Sequence, residues 1–461
     1  MTEAVKRQGF TTKAPRLGFV PGFDGIRGLL VMMIVCGHMV ESKVESFAVI
    51  VDLFFVMSAF LIVTLLMQEH RQNDRIDMKK FYARRAVRLL PSVFAYMAVW
   101  LVIGVIAQLV GFHLETGRNL LAEVLKDCAA ALTYVYHLVF PLGLAAVSPD
   151  DRIRPLGQFW SLSVEEQFYL LIAVTVLVCM RRNRMRALAV LSALLAVWIE
   201  FSRFRFDLGP WPGNHLDSGV WSRGLQLLWM QRPDGLLLGV ALAVVNARLP
   251  TELPDRWRRP ITTAATVSFG VYCFCLFWSS TAAHKFGFPY IYNAPERVRN
   301  HGDTVWCAIT KADAEANHFA PCIDRLWFMR VGHTLAIWTC APVILCLARY
   351  KDWFLNRFLG LSPLRYLGRL SYTLYVWHLL PIVLLDGALA GAGVPVRVLV
   401  MTTATFACAL PVYYFIEQRA LKVKLRFSSE KESLDLRTGK MVNVEAAIQE
   451  QQTERDERSK D

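Results

Sequence analysis

Charge is scarce in this chain of 461 residues: Asp, Glu, Lys and Arg make up 19 % of it, against 54 % hydrophobic residues. Soluble chains carry about a quarter charged residues. The shortfall excludes an ordinary cytosolic enzyme and a disordered scaffold. No CxxC pair and no Cys/His spacing of metal type occurs, so neither a redox motif nor a metal site is expected. Of the ten cysteines, Cys36, Cys128, Cys179, Cys273, Cys275, Cys340, Cys346 and Cys408 lie inside apolar runs and read as small apolar residues. The first 20 residues are polar and basic and lack an apolar h-region, which excludes a cleaved signal peptide. No internal repeat of 20–50 residues is present.

What is abundant is apolar sequence in long runs. They predict an all-α polytopic integral membrane protein with ten spans, at roughly 25–43, 47–67, 90–111, 160–180, 187–202, 226–246, 261–281, 329–348, 370–390 and 397–416. The net charge of +13 sits in short Lys/Arg clusters between these runs, a topology signal, and no nucleic-acid partner is expected. A further apolar stretch, 128–147, carries His137, Pro141 and Gly143. If it does not cross and the N-terminus is cytoplasmic, the inner connectors hold 20 Lys/Arg in 63 residues and the outer ones 14 in 111. If it does cross, the Arg181–Arg186 and Arg256–Arg259 clusters move outside. The expected arrangement therefore has both termini cytoplasmic, with 128–147 re-entrant or interfacial. The expected domains are a cytoplasmic tail at 1–20, a membrane domain at 21–420 and a charged, disordered cytoplasmic tail at 421–461. A long outer loop at 281–328 carries Cys307 and Cys322, a disulfide candidate outside the cytoplasm.

Ionisable residues inside spans are costly and mark functional sites by default. The first span holds Asp24, Arg27 and His38. The last two are 11 residues apart, about 16 Å of rise, and share one helix face. Asp52, near the depth of His38, would hold one imidazole nitrogen and leave the other free as a base; a purely structural His–Asp pair would look the same. The fourth span opens with FWSLSVEEQFYLL, offering Trp160, Ser161, Ser163, Glu165 and Glu166. Adjacent residues point about 100° apart, so one glutamate serves acceptor or catalysis while the other holds structure. RPDGLLLG adds Arg232 and Asp234, which read as a buried ion pair or as a direct participant. At the inner side, FYARRAVRLLP clusters Arg84, Arg85 and Arg88. They are either a topology signal or a phosphate site, since guanidinium matches phosphate oxygens. LGRLSYTLYVWH places Arg369, Ser371 and Tyr372 at an inner mouth, with His378 deeper.

Taken together the motifs resemble the membrane acyltransferase-3 family, which includes bacterial O-antigen and peptidoglycan O-acetylases. Arg27 and His38, VDLFFVMSAFLI, RRAVRLLP, WSLSVEEQFYLL, RPDGLLLG, SYTLYVWH and the terminal YYFIEQ follow in the family's order over roughly 20–420. Ala59 stands where the family more often has Gly. The resemblance implies an O-acyltransferase moving an acyl group, often acetyl, from cytoplasmic acyl-CoA to a hydroxyl of a cell-envelope glycan or glycolipid. It implies His38 as catalytic base, Arg84, Arg85 and Arg88 at the CoA phosphates, and Glu165 or Glu166 on the acceptor side. Acyl-CoA is then a co-substrate and no permanently bound cofactor is expected. The cell membrane is the expected location and the lipid bilayer a partner. Any extracytoplasmic partner enzyme is expected to be a separate chain. The other reading of the same polar residues is a proton-coupled transporter or flippase of an anionic or glycolipid substrate.

Overall fold

The structure, a computed structural model, describes residues 12–15, 17–39, 48–113, 118–139, 154–206, 233–278 and 331–424, with 427, 432–435, 440–444, 446 and 449 of the tail. The helices are α1 (Pro21–Met39), α2 (Ala48–Asn73), α3 (Met78–Leu109), α4 (Leu120–Leu132), α5 (Tyr136–Val139), α6 (Phe159–Arg181) and α7 (Met185–Phe206). They continue as α8 (Pro233–Arg248), α9 (Asp255–Trp278), α10 (His333–Arg349), α11 (Phe354–Leu359), α12 (Ser362–Trp377), α13 (Leu379–Leu385), α14 (Val394–Val412) and α15 (Gln418–Lys424). A π-turn, Tyr413–Glu417, joins the last two.

Among the described residues seven helical runs are long and apolar enough to cross a membrane. They are α1, α2, α3, α6, α7, α9 and the continuous Val394–Lys424. The described parts of the expected spans at 226–246 and 329–348 fall largely in α8 and α10, of 16 and 17 residues. The one at 370–390 is divided between α12 and α13. Pro381 supplies no N–H for the Trp377 carbonyl, and the helix breaks at His378, whose own N–H still reaches Leu374 O at 3.0 Å. The chain is thus an all-α polytopic membrane protein. Its outward side chains agree: Leu109, Leu171, Val267 and Leu399 are exposed, a surface suited to hydrocarbon. Of the ambiguous 128–147, the described part is not one helix. α4 ends at Leu132, Tyr134 takes a φ of 55°, and α5 has four residues. In the tail, β1 (Glu432–Asp435) and β2 (Lys440–Asn443) pair antiparallel, local structure that the charged composition does not announce.

Two apolar cores flank α1. One joins it to α2, α6, α8, α9 and α10; the other joins it to α3, α4, α12 and α14. The close approaches that fix these packings are made by glycine. A Cβ on Gly25 would lie 1.8 Å from the Leu359 carbonyl oxygen, and one on Gly368 would lie 1.9 Å from that of Asp24. α1 therefore crosses α11 and α12 at backbone contact, the small-residue packing of membrane helices. Likewise a Cβ on Gly239 of α8 would lie 2.4 Å from Val56 O and 2.7 Å from the Ala59 Cβ of α2.

Candidate functional site

Between the two cores lies a cavity of about 370 Å³, walled by α1, α2, α3, α6 and α12. Helical spacing explains which residues face it. Asp24, Arg27, Val31 and Ile34 form one stripe of α1; Phe81, Arg84, Arg85 and Arg88 one of α3; Ser161, Glu165 and Tyr169 one of α6. Ser371, Tyr372 and Tyr375 close the wall from α12, and Lys424 reaches it from α15. Asp24, Arg27, Arg84, Arg85, Arg88, Ser161, Glu165, Ser371 and Tyr372, singled out along the sequence, are therefore brought together.

The cationic side is partly neutralised. Arg85 Nη2 donates to Glu166 Oε1 at 2.7 Å, and its guanidinium lies 3.4 Å from the centroid of the Tyr169 ring. Arg84 donates to Glu69 Oε2 and to the Phe427 carbonyl, both at 2.8 Å. Arg27 meets Asp24 Oδ1 at 3.5 Å. Among the described residues Arg88 is the one cavity arginine that makes no hydrogen bond or ion pair, so its donors are offered to the cavity. The two glutamates diverge as adjacent helical residues must. Glu165 faces the cavity and accepts from Ser58 Oγ at 3.1 Å, while Glu166 is turned to Arg85.

Two histidines lie just beyond the cavity wall. His38 is one turn past Ile34 on the same face of α1, and His378 follows Tyr375 by three residues. Their ring centroids are 5.2 Å apart. His378 Nδ1 donates to the Tyr375 carbonyl at 2.7 Å. The Tyr375 hydroxyl donates to Gln158 O at 2.9 Å and accepts from Ser161 Oγ at 2.6 Å. A hydroxyl pair thus stands on the cavity wall close to the imidazoles.

Other expectations are redistributed. Asp52, expected to orient His38, accepts instead from His333 Nδ1 at 3.2 Å. The reason is the helix face. α2 turns Val51, Phe54, Phe55, Ser58, Leu61 and Ile62 to the cavity, and Asp52, Val56 and Ala59 toward Gly235 and Gly239 of α8. Trp160 packs edge-on to Phe55, with centroids 6.4 Å apart. Ser163 and Asp234 are buried away from the cavity wall, and Arg369 stacks on Tyr366 at 5.6 Å. Arg232, Cys307 and Cys322 lie outside the described residues. Sequence reasoning passed over Ser58, Glu69, Tyr169, Tyr375 and His333. His333 carried the same signal as His38, an ionisable residue within an apolar run; Tyr375 lies one turn before His378 in SYTLYVWH.

A second buried charge cluster lies on α4. Arg154 bonds Asp127 Oδ1 (Nε, 2.8 Å) and Glu123 Oε2 (Nη2, 3.0 Å). The Tyr136 hydroxyl and the Leu156 N–H complete Asp127 Oδ2 at 3.2 and 3.3 Å. None of these residues lines the cavity.

Comparison with known proteins bears on this geometry. A family model described as an acyltransferase domain, Acyl_transf_3, matches residues 20–414. The peptidoglycan O-acetyltransferase OatA of Listeria monocytogenes is 26 % identical over 409 residues, covering 87 % of this chain and 55 % of that protein. The O-acetyltransferase OatA of Staphylococcus aureus is 26 % identical over 400 residues, covering 87 % and 57 %. YrhL of Bacillus subtilis is 25 % identical over 411 residues, covering 87 % and 54 %. The chain spans a little over half the length of these relatives. No solved structure matches it.

Proposed function

The chain belongs to the acyltransferase-3 family, and from that premise we propose that it is an O-acyltransferase of the cell membrane. It takes an acyl group, acetyl by analogy with its relatives, from acyl-CoA on the cytoplasmic side and delivers it to a hydroxyl of a cell-envelope glycan or glycolipid. The observation that carries this reading is the cavity itself. Its one side is arginine-rich, with Arg88 uncommitted among the described residues; the Ser161–Tyr375 hydroxyls stand on its wall, and His38 stands just past it.

The division of labour follows from the chemistry. Arg88, with Arg84 and Arg27 beside it, receives the phosphates of the donor, for which a guanidinium fork is suited. The cavity leads the thioester toward His38. A bare nitrogen of His38 takes the proton of the acceptor hydroxyl as its oxygen attacks the thioester carbonyl. The C–S bond breaks, and the CoA thiolate leaves and takes up a proton. The hydroxyl protons of Ser161 and Tyr375 are held by Tyr375 and Gln158 O, so Ser161 serves the developing oxyanion only by turning its O–H away from Tyr375. Glu165, held by Ser58 and facing the cavity, is the carboxylate available to an acceptor hydroxyl, while Glu166 fixes Arg85. The acceptor reaches the site from the outer side, and a separate extracytoplasmic enzyme is a compatible partner.

The test is transfer. Purified protein in proteoliposomes receives acetyl-CoA labelled in the acetyl group together with an envelope lipid and glycan extract. Label is expected to move to an extractable species with wild type and not with His38→Ala, at equal folded yield. An active His38→Ala variant refutes the base; solute flux without any acylated product, across donors of different chain length, refutes acyl transfer.

A further inference from the structure

A histidine works as a base only if the correct nitrogen is bare, and something must hold its other N–H. Sequence spacing offered Asp52 for that duty, but Asp52 is bonded to His333. The ring beside His38 is that of His378, with centroids 5.2 Å apart and planes inclined by 31°.

The state of His378 can be read from its surroundings. The side chain is wholly buried. Its Nδ1 is 2.7 Å from the Tyr375 carbonyl oxygen, which only accepts, so Nδ1 carries a proton. In the neutral imidazole Nε2 is then a lone-pair acceptor, and this atom is buried with no hydrogen-bond partner. An unsatisfied buried acceptor is uncommon in folded proteins and calls for a reason. The carbonyl that fixes the ring belongs to the helix backbone at Tyr375, and the side chain of the same residue is tied to Gln158 and Ser161 on the cavity wall.

We infer that His378 is a positioning residue for His38: its Nδ1–H is committed to the Tyr375 carbonyl, so its bare Nε2 draws the N–H of His38 to the shared side and leaves the other His38 nitrogen bare for the acceptor hydroxyl. The inference rests on the reading of His38 as base. No proton is transferred to His378 in this scheme; it selects a tautomer.

Four variants test it in the proteoliposome assay: His38→Ala, His378→Phe, His378→Gln and His378→Leu. Phe keeps a flat ring and removes the acceptor; Gln restores an acceptor oxygen at the end of a side chain of similar reach. The expected result is a fall of about 10- to 100-fold in kcat for His378→Phe, the usual cost of losing an orienting partner. KM for acetyl-CoA should change less than about threefold, with wild-type melting behaviour, and His378→Gln should recover a clear part of the lost kcat. If the Phe ring disrupts folding, Gln against Leu carries the same contrast. Inactive His38→Ala with fully active His378→Phe overturns the inference and leaves the base in place. Equal losses in Gln, Leu and Phe reduce His378 to packing. Active His38→Ala overturns the underlying reading instead.

Discussion

Two buried groups of arginines and carboxylates stand out among the described residues, and they differ in a way that separates a site from a pin. Against α4, Arg154 from the segment before α6 is clamped between Asp127 and Glu123, and Tyr136 and Leu156 fill the second oxygen of Asp127. At the cavity, Arg84 and Arg85 are held by Glu69 and Glu166, but Arg88 faces about 370 Å³ of open space without an ion pair among the described residues. The residue types are the same. What differs is whether the donors are consumed by the fold or left over beside a void. A closed cluster contributes stability and register; an open one has an unmet demand for an anion.

The comparison can be broken most severely at α4. Arg154→Ala leaves two buried carboxylates without their shared cation, a loss of about 3–5 kcal/mol. The variant should fail to give folded protein, by melting temperature and yield in detergent, whereas Arg88→Ala at the cavity should fold as wild type. Next in size is the glycine crossing of α2 and α8. Gly239→Ala sets a methyl against Val56 O and the Ala59 methyl and should cost about 1–3 kcal/mol. Ala59→Gly in the same chain should recover part of that loss in melting temperature. An additive pair would show that the two residues do not share the contact.

Asp52→Ala sharpens the contrast from a third position. It removes the carboxylate that His333 Nδ1 bonds and should lower stability by about 1–3 kcal/mol while the turnover of the molecules that fold stays near wild type. A selective loss of kcat would return Asp52 to the catalytic group. The smallest effect is expected at the start of α3. The Asp77 carboxylate caps that helix by accepting from the Lys80 N–H at 3.0 Å, which holds its pKa below the usual carboxylate range. Asp77→Ala should cost about 1 kcal/mol near neutral pH. Because the folded pKa is depressed, the contribution is present above the unfolded value and is lost as pH falls through the folded one. The variant and wild type should therefore converge in acid.

Much of this was legible in the chain because membrane sequence is restrictive. Apolar length wrote the helices, and the helical period placed Arg84, Arg85 and Arg88 on one stripe and separated Glu165 from Glu166. Two things were not legible. One is which helix each face meets: Asp52 and His38 are expected at similar depth along the sequence, yet α2 shows Asp52 to α8 and α10, and only packing decides that. The other is the partner brought in from far along the chain. Neither His378 beside His38 nor Phe427 on Arg84 follows from any local spacing. Ala59 shows the same lesson in a smaller compass. Along the sequence it stands where the family more often has Gly; in the structure it is one half of a fitted pair with Gly239.

The central claim is that the open cluster binds the donor and the closed one does not. The direct measurement is titration of acetyl-CoA into purified wild type, Arg88→Ala and Lys126→Ala, the last removing a largely exposed cation that meets Glu123 at the edge of the α4 cluster. The account predicts a dissociation constant raised about tenfold in Arg88→Ala, about 1.4 kcal/mol, and unchanged in Lys126→Ala. Equal affinity in all three would contradict it.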